Sequence, residues 1–352
     1  MLKEYFAKWV NPPLFVDKKW LDGTQFFVAD VGATGGPDPR WKSMASYVHF
    51  YLFDPNPAYV PASPKWNQTV FPIGLWSEKG QKKLHLMQNP EASSLFPIHE
   101  DMKVFANWTC HAQLGETSIM VDQLDSILEN VSPPDFLKID AEGADYEILK
   151  GANLLLKNSI LGVQIESSFA VRHVGSVLFG EIDTYLKNLG YQLFDLQIEC
   201  WLRKNQTFSS FSKPQIIWGD CLYILSLDSF VQKLSKITES KRQSLVIKYF
   251  TILMAYSLHD TAEELRLELR AAGLVNENTY IQMGLQIKKT LLADRGRGIK
   301  LLLVLLLTFG MVIVYSPFRK IRGQATIYYK AVLFALSKWL NSKSMTFNSL
   351  RR

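Results

Sequence analysis

Pro133-Pro134-Asp135-Phe136-Leu137-Lys138-Ile139-Asp140-Ala141-Glu142-Gly143-Ala144-Asp145-Tyr146-Glu147-Ile148-Leu149-Lys150-Gly151-Ala152 is the stretch on which the fold turns. Two prolines open it. The short apolar run Phe136 to Ile139 reads as a buried strand, because it is too brief for a helix and stops at carboxylates and a glycine. From Ala144 to Asn158 the apolar positions Ile148, Leu149, Ala152 and Leu155 recur at helical spacing. A second apolar run, Leu161 to Ile165, then stops at Glu166. Strand, helix and strand in this order make a βαβ unit, which requires parallel strands.

Working outward, Gln25 to Ala29 is an apolar run that ends in Asp30 and a glycine cluster, and Tyr47 to Phe53 ends at Asp54-Pro55-Asn56-Pro57. Prolines there cannot donate to a sheet ladder. A third run covers Thr69 to Leu75, a helix is expected from Phe179 to Leu189 before Gly190, and Tyr191 to Leu196 and Cys221 to Leu225 supply two late strands. The expected fold class is α/β, a Rossmann-like doubly wound sheet with a helical region after it, with ligands collecting at the carboxyl ends of the strands. Gln81 to Met120, which carries His85, His99 and His111, lacks a clean repeat and reads as a hairpin or insertion on the substrate side.

Val28-Ala29-Asp30-Val31-Gly32-Ala33-Thr34-Gly35-Gly36 places glycines after a strand, where the backbone must turn tightly and approach a ligand. The spacing is not the G-x-G-x-x-G of dinucleotide sites. A carboxylate at Asp30 would repel a pyrophosphate but attract the cationic sulfonium and ammonium of S-adenosylmethionine, so the charge pattern favours that methyl donor. Asp54 follows Asp30 by 24 residues, near the offset at which an acidic side chain meets ribose hydroxyls, and Asn56 lies in the same turn. Asp30, Gly32, Gly36, Asp54, Asn56 and Asp140 are the expected cofactor-binding residues.

Over about residues 25–226 the chain resembles the FkbM family of methyltransferases. The resemblance rests on Leu137-Lys138-Ile139-Asp140, then Glu142-Gly143 and a helix ending Leu149-Lys150-Gly151-Ala152, with the glycine loop, Phe53-Asp54-Pro55, Ser93-Ser94 and Glu166 before Phe169 in the same order. It implies a class I methyltransferase fold, bound S-adenosylmethionine and transfer of its methyl to an oxygen, often on a sugar or natural product. Asp54 stands where the family commonly has glutamate, and Thr34 where it commonly has asparagine; both keep the capacity for hydrogen bonding. The resemblance does not reach the C-terminal tail.

Methyl transfer requires an aligned oxygen, exclusion of water and removal of a proton. Asp140, Glu142 and Glu166, at the ends of the fourth and fifth strands, are the catalytic candidates. Glu142 could instead cap the following helix, and His173 reads as a packed or surface residue before it reads as a catalyst. The three carboxylates could hold a divalent cation, but nothing in their spacing demands one, and no metal is expected. Two other readings stay open: a nucleotide-dependent oxidoreductase, which the glycine spacing and Asp30 disfavour, and a non-catalytic membrane-associated scaffold.

The chain of 352 residues, 47% hydrophobic and 20% charged, is long enough for one sizeable core with an appended region. Four segments are expected: an extension over 1–24, the methyltransferase domain over 25–228, a helical region over 229–294 and a basic apolar tail over 295–352. Residues 1–230 hold 19 Lys and Arg against 26 Asp and Glu, while residues 295–352 hold 11 basic residues and no acidic one. Such a tail seeks an anionic partner. Its stretch 301–318 is uncharged and 326–340 is apolar around Lys330 and Lys338, so an anchor at an anionic membrane surface is expected, the alternative being a soluble helical subdomain with Leu301 to Tyr315 as its core helix. Met1-Leu2-Lys3-Glu4 leads to Asn11-Pro12-Pro13 without an apolar segment, and Cys110, Cys200 and Cys221 form no disulfide framework, so a cytoplasmic setting is expected. The expected partner is a hydroxyl-bearing small molecule or glycan, with no nucleic acid.

Overall fold

The computed structural model describes residues 18–21, 23–61, 64–105, 112–204 and 212–292. Leu21–Ile252 form one compact unit; a second contains Met1–Trp20 and Leu253–Arg352. The first unit thus runs past the boundary at 228 that the sequence suggested.

The first unit is built on a seven-stranded sheet. Its strands are β1 (Phe26–Val31), β2 (Val48–Phe53), β3 (Asn67–Phe71), β7 (Phe136–Ile139), β8 (Gly162–Ser168), β9 (Tyr191–Trp201) and β10 (Gln215–Leu225), in the order β3-β2-β1-β7-β8-β10-β9. The pairings from β3 through β8 are parallel, and β10 enters antiparallel between β8 and β9. This is the doubly wound order, reversing direction between β1 and β7, where ligands bind in such sheets. Apolar residues of the central strands are fully buried, among them Val28, Phe50, Leu52, Leu137, Ile139, Val163 and Ile165. Each such side chain contributes roughly 1.5–3 kcal/mol of transfer free energy.

A three-stranded sheet, β4 (Gly74–Leu75), β6 (Gln113–Asp122) and β5 (Gly80–Met87), lies outside the main one. Its antiparallel β5–β6 pair is the hairpin expected within 81–120. The run Thr69 to Leu75 is divided between the two sheets. Pro72 falls between β3 and β4, and its lack of an N–H ends the ladder with β2. The helix expected over 144–158 is likewise two helices, Asp145–Gly151 and Asn153–Asn158. A new N-terminus forms there because the Asp125 carboxylate accepts from the Leu154 and Leu155 amides at 2.8 and 3.0 Å.

After β10 the chain turns helical, as its composition predicted. Ser226 caps the helix Leu227–Ser235, and Phe230 stacks on Tyr249 of the helix Glu239–Ala255. Lys248 on the latter reaches Asp135, at the entry to β7, with 2.9 Å to each carboxylate oxygen. In the second unit, the helix His259–Ala271 and a helix over 277–292 are joined through Gly273, and Arg266 and Arg270 lie over the Tyr280 ring at 4.0 and 4.2 Å. Among the described residues no helix is long and apolar enough to cross a membrane. The stretches 301–318 and 326–340 lie outside the described residues.

Candidate active site

A cavity of about 480 Å³ opens at the carboxyl ends of β1, β2 and β7, roofed by the β5–β6 hairpin. That volume suits a small ligand or cofactor. Gly32, Thr34, Asp54, Asn56, Asp140 and Glu142 are in its wall, with Leu84, Leu86, Leu114 and Ile119 contributed by the hairpin. Polar groups therefore converge from the sheet, and apolar ones cover them.

Two conditions fix glycine at position 32. Its φ is +73°, and a β-carbon there would lie 1.9 Å from the carbonyl oxygen of Asp140. The loops after β1 and β7 touch at this point, which brings Asp140 beside the glycine loop. On the other side of the cavity, Thr34 donates to Asp54 at 3.0 Å, and the Asn56 amide donates to the other oxygen of the same carboxylate at 2.8 Å. Asp54 is thereby held with acceptor capacity to spare for a ligand's hydroxyls.

The loop 140–143 is fastened from three sides. The Asp145 carboxylate accepts from the Ala141 and Gly143 amides at 3.0 and 2.9 Å, and the Ser94 hydroxyl donates to the Glu142 carbonyl at 2.5 Å. Glu142 itself has φ of 48°, a strained conformation for a non-glycine residue. Its carboxylate is held by Arg172, which also donates to Glu166 and lies 5.5 Å from the Trp218 ring. Asp145, and not Glu142, satisfies the orphan amides ahead of the helix.

One buried guanidinium facing the buried Glu166 and the half-buried Glu142 leaves this cluster short of positive charge. Burial, only partly offset by Arg172, raises Glu142 to about 7, and Glu166 is also pushed up by burial. Arg172 is held above its ordinary range by the two glutamates. Burial likewise raises Asp145, to about 6. Oxygens of Asp140, Glu142 and Glu166 all lie within 4.8 Å of one another, close enough to share a hard cation. Arg172 already occupies that position for two of them.

Gly32, Asp54, Asn56, Asp140 and Glu142, expected from the sequence, meet at one cavity. Glu166 joins them through Arg172, outside the cavity wall. Asp30 and Gly36 stand apart. Asp30 is buried at 2% exposure and accepts from Lys138 at 3.1 Å, so a lysine faces it where a cationic ligand was expected. Gly36, at φ +87°, shapes the turn without lining the cavity. Lys138 and Arg172 carry the balancing charge, and neither was singled out in the sequence. Lys138 stood inside the decisive motif, whereas Arg172 lies in a loop with nothing local to mark it. His173 is buried with Nδ1 against Gly143, where an added β-carbon would lie 2.9 Å away. It packs under the loop, as a structural histidine does.

The family whose pattern this chain matches is the methyltransferase FkbM domain, over residues 30–193. No curated protein matches. Among solved structures, a methyltransferase FkbM from Methylobacillus flagellatus aligns at 17% identity and a TM-score of 0.30, covering 63% of this chain and 50% of that one. The chain thus spans half the length of that relative, and the low score leaves the fold to rest on the strand order above.

Proposed function

We propose that this chain, whose residues 30–193 match the methyltransferase FkbM domain, transfers a methyl group from S-adenosylmethionine to a hydroxyl oxygen of a sugar, glycan or natural product. The observation that carries this is the meeting of Gly32, Asp54 and Asp140 at one cavity. The donor set fits. The Gly32 main chain admits close approach, Asp54 offers a carboxylate to a hydroxyl pair, and Asp140 and Glu142 offer negative charge to a cation. S-adenosylmethionine would bring to this site a methyl group on a cationic sulfonium, open to in-line attack by oxygen. Asp140 is the counter-ion in this reading. Glu142, near neutrality in its affinity for a proton, receives the one that the acceptor oxygen loses.

Calorimetry with S-adenosylmethionine and the full chain is the direct test. Saturable binding in the micromolar range, on the order of −8 kcal/mol, is expected, weakened by Asp54→Ala. Binding of a nicotinamide dinucleotide in its place would overturn the reading. The 11 cations after Asp294 support a further part of it, that the tail holds the enzyme at an anionic cytoplasmic membrane face near its acceptor. Sedimentation with anionic vesicles, comparing the full chain with one ending at Asp294, tests that part; equal pelleting of both removes it.

A further inference from the structure

Strands of a parallel sheet covered on both faces read as continuous apolar runs. One face of this sheet departs from that. In register across adjacent strands, Asp30 of β1 stands opposite Lys138 of β7, and Lys138 opposite Gln164 of β8. One rung further on, Glu166 of β8 faces Asp220 of β10, and Asp220 faces Gln197 of β9. The period of two puts both rungs on the same side. Below them the face is ordinary core, with Trp41 packed 5.4 Å from Phe26 and 5.7 Å from Phe136. On the short 3-10 helix Pro39–Met44 that carries Trp41, Arg40 reaches the polar level, where it donates to Gln164 at 3.2 Å. Lys138, Gln164 and Asp220 remain half-buried and Gln197 exposed.

Polar rungs in the middle of a sheet detract from its stability, and sites that break a folding rule in this way are where function is found. The rungs also lead to the reacting centre. Lys138 lies 3.7 Å from the Asp140 carboxylate, which is in the wall of the donor cavity. We propose that this half of the sheet face, around Lys138, Gln164 and Asp220, is the acceptor subsite, and that it takes a neutral polyhydroxylated compound. The inference rests on the methyl-transfer reading and adds to it where the acceptor lies and what charge it has.

The chemistry of the face selects that class. An amide, an ammonium and carboxylates offer donors and acceptors side by side, as hydroxyl groups require. Carboxylates predominate: Asp220 has Asp38 and Asp140 as electrostatic neighbours besides Lys138 and Arg40, with Glu166 opposite. Both cations are engaged, Lys138 with Asp30 and Arg40 with Asp38. A phosphate or carboxylate on the acceptor would meet net repulsion.

The test uses the full chain, labelled S-adenosylmethionine, and the methyl glycosides of glucose, mannose and fucose beside glucuronate and glucose 6-phosphate. Label is expected in neutral glycosides and not in the anionic sugars. Gln164→Leu and Asp220→Asn should each raise the glycoside KM tenfold or more, with kcat within threefold, donor affinity unchanged and melting temperature not lowered. Asp220→Asn keeps the shape of the side chain, so folding does not depend on Gln164→Leu alone. Donor binding with no label in any neutral glycoside, preference for the anionic sugars, or an unchanged KM in both variants would overturn the subsite. Failure of the chain to bind donor at all would instead sink the methyl-transfer reading, and this inference with it.

Discussion

The α-carbon of Gly32 is packed against the carbonyl of Asp140, leaving 1.9 Å to that oxygen for any β-carbon placed there. Two loops separated by more than a hundred residues share one point of contact, and the cavity is formed around it. Gly32→Ala must therefore both strain the left-handed backbone and push the Asp140 loop away. A loss of at least about 2 kcal/mol in unfolding free energy is expected, together with weakened donor binding. Gly35→Ala is the comparison, since Gly35 has φ +83° but nothing within 4 Å of an added β-carbon. It should lose only the strain, about 1–2 kcal/mol, and keep its affinity. Equal behaviour of the two variants in melts and calorimetry would show that the contact does not matter.

Asp140→Asn removes the charge from the cavity wall and keeps the shape. Turnover should fall at least about tenfold, or about 1.4 kcal/mol in the barrier, with the melt little changed. Steady-state kinetics checks this; unchanged turnover would take Asp140 out of the chemistry.

The carboxyl ends of the strands were legible from the sequence because each apolar run stops at a polar, proline- or glycine-bearing turn, and that stop survives in Asp54 and Asp140; the fifth strand, expected to stop at Glu166, instead carries on through it to Ser168, because β10 pairs with it that far. The pairing of charges was not. Lys138 meets Asp30 across 108 residues and Arg172 meets Glu142 across 30, distances over which no periodicity carries information. Asp30 accordingly looked like a ligand for a cation when its cation was already in the chain. The break between the helices Asp145–Gly151 and Asn153–Asn158 was hidden for the same reason. Its cap is Asp125, nearly thirty residues upstream, while the apolar spacing runs through without interruption.

The raised Glu142 gives the pH dependence a definite sign. Its ordinary value is 4.5 and burial lifts it to about 7, so the folded chain binds more protons than the unfolded one between those limits. That contribution to stability is fully present below about 4.5 and is lost as pH rises through about 7. Asp145, lifted from 3.8 to about 6, acts in the same direction. Denaturant melts from pH 5 to 8 should therefore decline less steeply in Glu142→Gln than in the parent. Activity should run the other way: kcat/KM rises with pH through about 7, as Glu142 becomes able to accept a proton, and Glu142→Gln loses that limb. A parent profile flat between pH 6 and 8 would exclude Glu142 as the acceptor.

Asp135 tests how far the catalytic unit extends. Its carboxylate is 5% exposed, accepts from the Phe27 amide at 2.9 Å and is neutralised by Lys248 from the helix Glu239–Ala255. Burial pushes Asp135 upward while Lys248 opposes it, so the lysine is what allows a charge at that depth. Lys248→Met leaves the carboxylate buried beside the first turn into β7 without its cation. Breaking one half of such a pair destabilises by about 3–5 kcal/mol at neutral pH. Adding Asp135→Asn should recover part of that, because an amide needs no counter-ion, although it alters the bond to Phe27. Double-mutant melts separate the two effects. A loss below about 1 kcal/mol in Lys248→Met would mean that the helix after β10 merely leans on the sheet, and that the unit that folds with the site ends near residue 228.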